Sequence, residues 1–292
     1  TGSIPALITP FRDGRFDEAA FAALVEWQIE SGSSGLVPCG TTGEAPTLPV
    51  DEHHRIIRRC VELTAGRVPV IAGCGSNDTA TALDHLARAA DAGADAALVV
   101  TPYYNRPSQD GLVRHYETLA DASRLPIILY TVPGRTGVNI AVPTVARLAR
   151  HDRITGIKDA TGDLGRVSAI RLAAGEGFVQ LSGNDDSALA FNAAGGVGCI
   201  SVTANVAPDL CAALQAATLE GDFAAARALQ GRLYPLHEAL FTDSSPAPAK
   251  YALSRLGRAS EEVRLPLAPC SAAARAAVDA ALAHAGILQP AG

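Results

Sequence analysis

Short apolar runs alternate with longer stretches whose apolar residues recur every three or four positions, and this alternation continues through the first two-thirds of the chain. The short runs predict strands at about 4–9, 35–40, 68–73, 95–101, 126–132, 154–159, 178–182 and 198–203. Between them, stretches such as "DEAAFAALVEWQIESG", "PVDEHHRIIRRCVELTAG", "NDTATALDHLARAADAG" and "SQDGLVRHYETLADAS" carry helical spacing, several closed by a glycine. Strands that alternate with helices form a parallel sheet, and a count of eight predicts closure into a (β/α)8 TIM barrel. From about Asp209 only helical patterns remain, broken at "GD", "SSPAPA" and "LAPCS". The α/β reading is therefore a catalytic barrel over residues 1–220 followed by a C-terminal helical subdomain over 221–292.

A barrel of this kind places its chemistry at the C-terminal ends of the strands and in the loops after them. The reactive residue types gather there. "CGTTGE" follows the second predicted strand, "TPYYNRP" the fourth, "YTVPGRT" the fifth, "IKDATGD" the sixth and "SGNDDS" the seventh. The opposite ends, such as "GRVPV" and "RLPII", hold turn residues. "AGGVG" at 194–198 precedes a strand and reads as a helix-to-strand turn rather than a phosphate cradle.

Composition narrows the function classes. The 292 residues are 48% hydrophobic and 18% charged with a net charge of −6, so the basic footprint of a nucleic-acid binder is missing and a small-molecule partner is expected. The six cysteines form no C-x-x-C pair, no leader-like segment precedes the first apolar run, and no apolar run reaches membrane-spanning length. These features lead to the expectation of reduced thiols and a cytoplasmic location. The seven histidines show no H-E-x-x-H spacing, so a metal is not expected, and His53-His54 reads as part of a solvated helix face.

The chain has 22 arginines and only two lysines. Lys158 lies in "GIKDA", where strand alternation puts it on one face with Gly156 and Ala160 and puts Asp159 on the other. Inside a barrel, burial disfavours an ammonium, and a neutral lysine amine attacks carbonyls. The alternatives are a lysine that snorkels to the rim or pairs with Asp159. Lys250, after "SSPAPA", reads as a surface or interface residue. Thr41 and Thr42 sit among glycines with N–H groups suited to a carboxylate, although a capped turn explains them equally. Tyr103, Tyr104 and Tyr130 fall at strand ends, where phenols can relay protons or simply pack. Arg135, on a Pro-Gly loop, can clamp a carboxylate or stay solvated.

Taken in order, "PALITPF", "GTTGEAPTL", "VIAGCGSN", "VTPYYNRPSQDGL", "YTVPGRTG", "GIKDATGDL", "LSGNDDSAL" and "CISVTANVAP" resemble the pyruvate-dependent class I aldolase family, with matching spacing from residue 1 to about 288. Within it, the resemblance implies the branch that condenses pyruvate with L-aspartate-4-semialdehyde to 4-hydroxy-tetrahydrodipicolinate for lysine and diaminopimelate synthesis, as a cytoplasmic homotetramer. It implies Lys158 as the Schiff-base lysine, with no cofactor, and Thr41, Tyr104 and Tyr130 as a proton relay, with Tyr104 from a neighbouring subunit. Thr42 would hold the pyruvate carboxylate, Arg135 the semialdehyde carboxylate, and Gly183 with the Ile200 carbonyl would line the pyruvate pocket. His53, Asn77 and Tyr103 match an allosteric lysine site, whose histidine and glutamate are replaced by Val50 and Thr81. Other departures are Thr131, Asp159 and "SSPAPAK". The alternative is another member of the family, an N-acetylneuraminate lyase or keto-deoxy-sugar aldolase, from which Arg135 and "YYNRPSQ" argue away.

Overall fold

The structure is a computed structural model that describes residues 1–288. Seven parallel strands form its main sheet: Gly2–Pro5, Ile71–Gly73, Ala96–Val100, Ile127–Thr131, Ile154–Asp159, Val179–Ser182 and Gly198–Ser201. The last of these pairs with the first, Gly2 opposite Gly198 and Pro5 opposite Ser201. The gap between Gly2–Pro5 and Ile71–Gly73 is bridged by the second predicted segment, through Ala6 opposite Val37 and Leu36 opposite Val70. Val37 donates to the Pro5 carbonyl at 3.0 Å and Ile71 to the Leu36 carbonyl at 2.8 Å, so the eighth segment closes the barrel. It is shorter than the expected 35–40. Pro38 has no N–H to give a ladder, and Cys39 turns into the left-handed region at φ 55°.

Alternation along each strand separates two cores. Ile4, Ala6, Val37, Ile71, Leu98, Ile128, Tyr130, Leu181 and Ile200 fill the barrel interior. Ala97, Val99, Ile127, Leu129 and Ile157 point outward and pack against the surrounding helices. Burial of such side chains contributes about 1.5–3 kcal/mol each. The helices start where their capping residues say they should. Asp17, Asp78, Ser108, Asp222 and Ser271 each accept a hydrogen bond from a backbone N–H of the first turn, a device that contributes about 1 kcal/mol apiece.

After the barrel come helices Pro208–Leu219, Phe223–Ala239, Ala247–Arg255 and Ala272–His284. Two sequence expectations fail in this framework. Lys250 is fully buried rather than exposed, ion-paired with Glu44 and donating to the Glu262 carbonyl at 2.7 Å. His53 and His54 are buried rather than solvated. Helix Thr79–Asp91 covers their face, a packing that the charged pattern of "DEHHRIIRR" does not reveal.

Candidate active site

Tyr130 and Lys158 stand opposite each other in register near the C-terminal ends of the fifth and sixth barrel strands. Both point inward, and Lys158 Nζ lies 4.3 Å from the Tyr130 ring centroid. Lys158 is 5% exposed, and among the described residues no carboxylate is paired with its amine. The pairing with Asp159 does not form. Asp159 lies on the outward face, where Arg166 Nε donates to it at 2.8 Å and Thr161 binds its other oxygen at 2.6 Å. Gly183 leaves the room the lysine needs, since a β-carbon there would sit 3.1 Å from Lys158 Cε and 2.6 Å from Ala160 Cβ. Ile200 is buried on the eighth strand, in the interior cluster that holds Tyr130.

A cavity of about 430 Å³ opens at this end of the barrel, with Thr41, Tyr103, Tyr130 and Arg135 in its walls together with His53 and Thr81. Arg135 is exposed on the short helix Pro133–Thr136 at the rim. The turn 40–44 is held from below. Thr9 Oγ1 donates to the Gly43 carbonyl at 2.7 Å, while Gly43 and Glu44 donate back to Gly40 and Thr41. Neither Thr41 nor Thr42 has its backbone N–H engaged by another described residue, so two adjacent donors remain for an incoming anion.

Backbone strain marks the same loops. Cys39 and Glu44, flanking the Thr-Thr-Gly turn, and Tyr104 and Arg106, after the fourth strand, all adopt positive φ without being glycine. Such conformations cost on the order of 1 kcal/mol or more and persist only where the surroundings hold them. At Glu44 the surroundings are Lys250 and the Arg264 N–H, which donates to the carboxylate at 2.9 Å. Burial pushes the Lys250 ammonium down to about 8, against the attraction of Glu44.

Tyr104 is not brought to the other site residues; it is 90% exposed and outside the cavity wall. Of the residues matched to an allosteric site, His53 and Tyr103 line the cavity, whereas Asn77 bonds through its carbonyl to Asn105 at 2.9 Å. Sequence reasoning missed Asp185. It is buried after the seventh strand and accepts from Ser201 Oγ and from the N–H groups of Val202 at 2.9 Å and Thr203 at 3.2 Å. That carboxylate fixes the end of the eighth strand beside Ile200. "SGNDDS" offered two adjacent aspartates, and only the fold distinguishes the buried Asp185 from the exposed Asp186. The six cysteines are free and buried, and burial pushes the Cys39, Cys199 and Cys211 thiols up. Among the described residues no helix is long and apolar enough to cross a membrane.

Comparison with known proteins agrees with this geometry. The sequence model of the dihydrodipicolinate synthetase family matches residues 1–285. The 4-hydroxy-tetrahydrodipicolinate synthase of Novosphingobium aromaticivorans is 62% identical over 292 residues, covering 99% of both chains. That of Zymomonas mobilis is 62% identical over 289 residues, again covering 99% of each. Among solved structures, the synthase of Methylacidiphilum fumariolicum SolV superposes with a TM-score of 0.96 at 43% identity, covering 98% of this chain and 95% of that one. The chloride-inhibited dihydrodipicolinate synthase from Acinetobacter baumannii, complexed with pyruvate, gives 0.96 at 44% identity over 98% and 99%.

Proposed function

The chain belongs to the dihydrodipicolinate synthetase family, and on that footing we propose how its cleft joins pyruvate to L-aspartate-4-semialdehyde to give 4-hydroxy-tetrahydrodipicolinate. The observation that carries the reading is the inward amine of Lys158, without a carboxylate partner among the described residues, against Tyr130 at the C-terminal ends of adjacent strands. The Lys158 amine attacks the keto carbon of pyruvate and water leaves, forming an iminium. The free N–H groups of Thr41 and Thr42 hold the pyruvate carboxylate meanwhile. The iminium draws electrons, so a methyl proton leaves through Tyr130 and Thr41 to give an enamine. The enamine carbon attacks the aldehyde, whose own carboxylate meets Arg135 at the rim. The amine of the condensed product then closes on the iminium carbon and releases Lys158.

Gly183 and the Ile200 carbonyl complete the pyruvate pocket in this proposal, and Tyr104 reaches the relay of a second copy of the chain within a homotetramer. Its exposure and its left-handed backbone support that role. Residues 1–220 act as the catalytic barrel and 221–288 as a helical appendage, in the cytoplasm; the last four residues of the expected 221–292 lie outside the described residues. Val50 and Thr81 supply no charge for an effector ammonium, so feedback by lysine is expected to be weak or absent; inhibition by sub-millimolar lysine would remove this part of the proposal.

Borohydride reduction with pyruvate, followed by peptide mass mapping, tests the centre of the reading. A pyruvate-derived adduct is expected on Lys158 alone, and its absence there sinks the mechanism. Mixing Tyr104→Phe with Lys158→Ala protein tests the shared relay. Subunit exchange restores activity only if Tyr104 serves a neighbouring site.

A further inference from the structure

Beside the cleft, whose wall includes His53 and His85, three imidazoles pack together that this reaction does not use. The rings of His53 and His85 stack with centroids 4.3 Å apart, and His53 Nε2 meets the Gly73 carbonyl at 2.9 Å. His54 Nε2 and His85 Nδ1 face each other at 2.9 Å, a contact that has room for a single proton. A carboxylate oxygen of Asp84 lies 3.9 Å from the same His54 nitrogen. The three donor atoms of His54, Asp84 and His85 all fall within 4.8 Å of one another. His54 Nδ1 is buried without a hydrogen-bond partner among the described residues.

We propose that His54, His85 and Asp84 form a binding site for a divalent transition cation of the zinc or nickel class, which ties helix Val50–Thr64 to helix Thr79–Asp91. Two imidazoles and one carboxylate suit such an ion and not magnesium or calcium, which take oxygen ligands. An ion about 2.1 Å from each donor would see the two nitrogens at roughly 90° and the His54 nitrogen and Asp84 oxygen at roughly 135°. These bracket the tetrahedral angle, and the three donor atoms lie within 4.8 Å of one another, just beyond the about 4.2 Å that one such ion spans, so a swing of the Asp84 side chain with a turn of the rings completes the geometry and leaves the fourth position to water. Desolvation holds both His54 and His85 below the usual imidazole range, with Arg88 adding repulsion.

Asp84 must release Arg88, whose Nε now donates to its two oxygens at 3.0 and 3.1 Å. That pair is half-exposed and weakly held. Asp51, on the same helix as His54, adds negative potential. The expectation of no metal from the sequence rested on spacing within one helix. Here the ligands come from two helices, and only Asp84 and His85 are neighbours in the chain.

The test is calorimetric titration of the metal-stripped full-length protein with zinc chloride. One ion per chain is expected, with a rise in Tm on binding. The Asp84→Asn substitution, at an exposed side chain that threatens no fold, weakens binding roughly tenfold or more, and His85→Leu abolishes it. Cobalt(II) in place of zinc gives a spectrum without thiolate charge-transfer bands. Zinc bound equally well by Asp84→Asn, no zinc bound at all, or thiolate bands that place the ion on a cysteine would each overturn the proposal.

Discussion

The two lysines of the chain occupy regions alike in burial and opposite in partnership. Lys158 and Lys250 are 5% and 0% exposed, and each amine lies over an aromatic ring, Tyr130 at 4.3 Å and Phe11 at 4.0 Å. Around Lys250 the protein supplies a carboxylate, a carbonyl and no open space. Around Lys158 it supplies small residues and no paired carboxylate. The Lys250 amine, held by a carboxylate and a carbonyl, is structural, whereas the Lys158 amine has no such partner among the described residues and is left to react. The difference teaches that burial alone does not mark a nucleophile, and that what faces the amine decides.

Exchange of Lys158 for arginine is the strongest way to break the comparison. A guanidinium cannot form an imine, so kcat is expected to fall at least about 1,000-fold with Tm little changed, as read by condensation rate and thermal melting. The mirror experiment is Lys250→Met, which strands Glu44 without a partner. A loss of about 3–5 kcal/mol is expected in denaturant unfolding, partly recovered by adding Glu44→Gln. If Lys250→Met were as stable as the parent, the structural role would be wrong. Arg135→Ala comes next. KM for the semialdehyde should rise by about one to two orders of magnitude while the borohydride adduct with pyruvate persists. The smallest effect lies in alkali. Lys250 titrates at about 8 in the folded chain, below its unfolded value, so the unfolded chain holds the extra proton above that pH. Stability relative to Lys250→Met should therefore rise as pH climbs from about 8 towards the ordinary lysine range, as followed by melting temperature.

Much of the barrel was legible because strand and helix periods differ and the run lengths kept them apart. The sixth strand, expected at 154–159, is Ile154–Asp159 as observed. The second was overcalled, because propensity could not weigh Pro38 and the left-handed Cys39 against an apolar run. Lys158, Tyr130, Thr41 and Arg135 do converge at one end of the barrel, as strand-end logic required. What stayed hidden were partnerships across long separations. Glu44 and Lys250 are 206 residues apart, and helix Thr79–Asp91 buries His53 and His54 under residues that local pattern treats as surface. Tyr104 stayed outside because a single chain has no neighbour to receive it.

The fate of both lysines leaves the outside of this protein without a lysine side chain, since neither is more than 5% exposed. Amine-directed chemistry, which decorates most proteins at many points, has only the cleft through which to reach a lysine here. Acylation of Lys158, read by peptide mapping so that the exposed α-amine of Thr1 is told apart, thus becomes an active-site counter, blocked in proportion to the fraction of chains already carrying pyruvate.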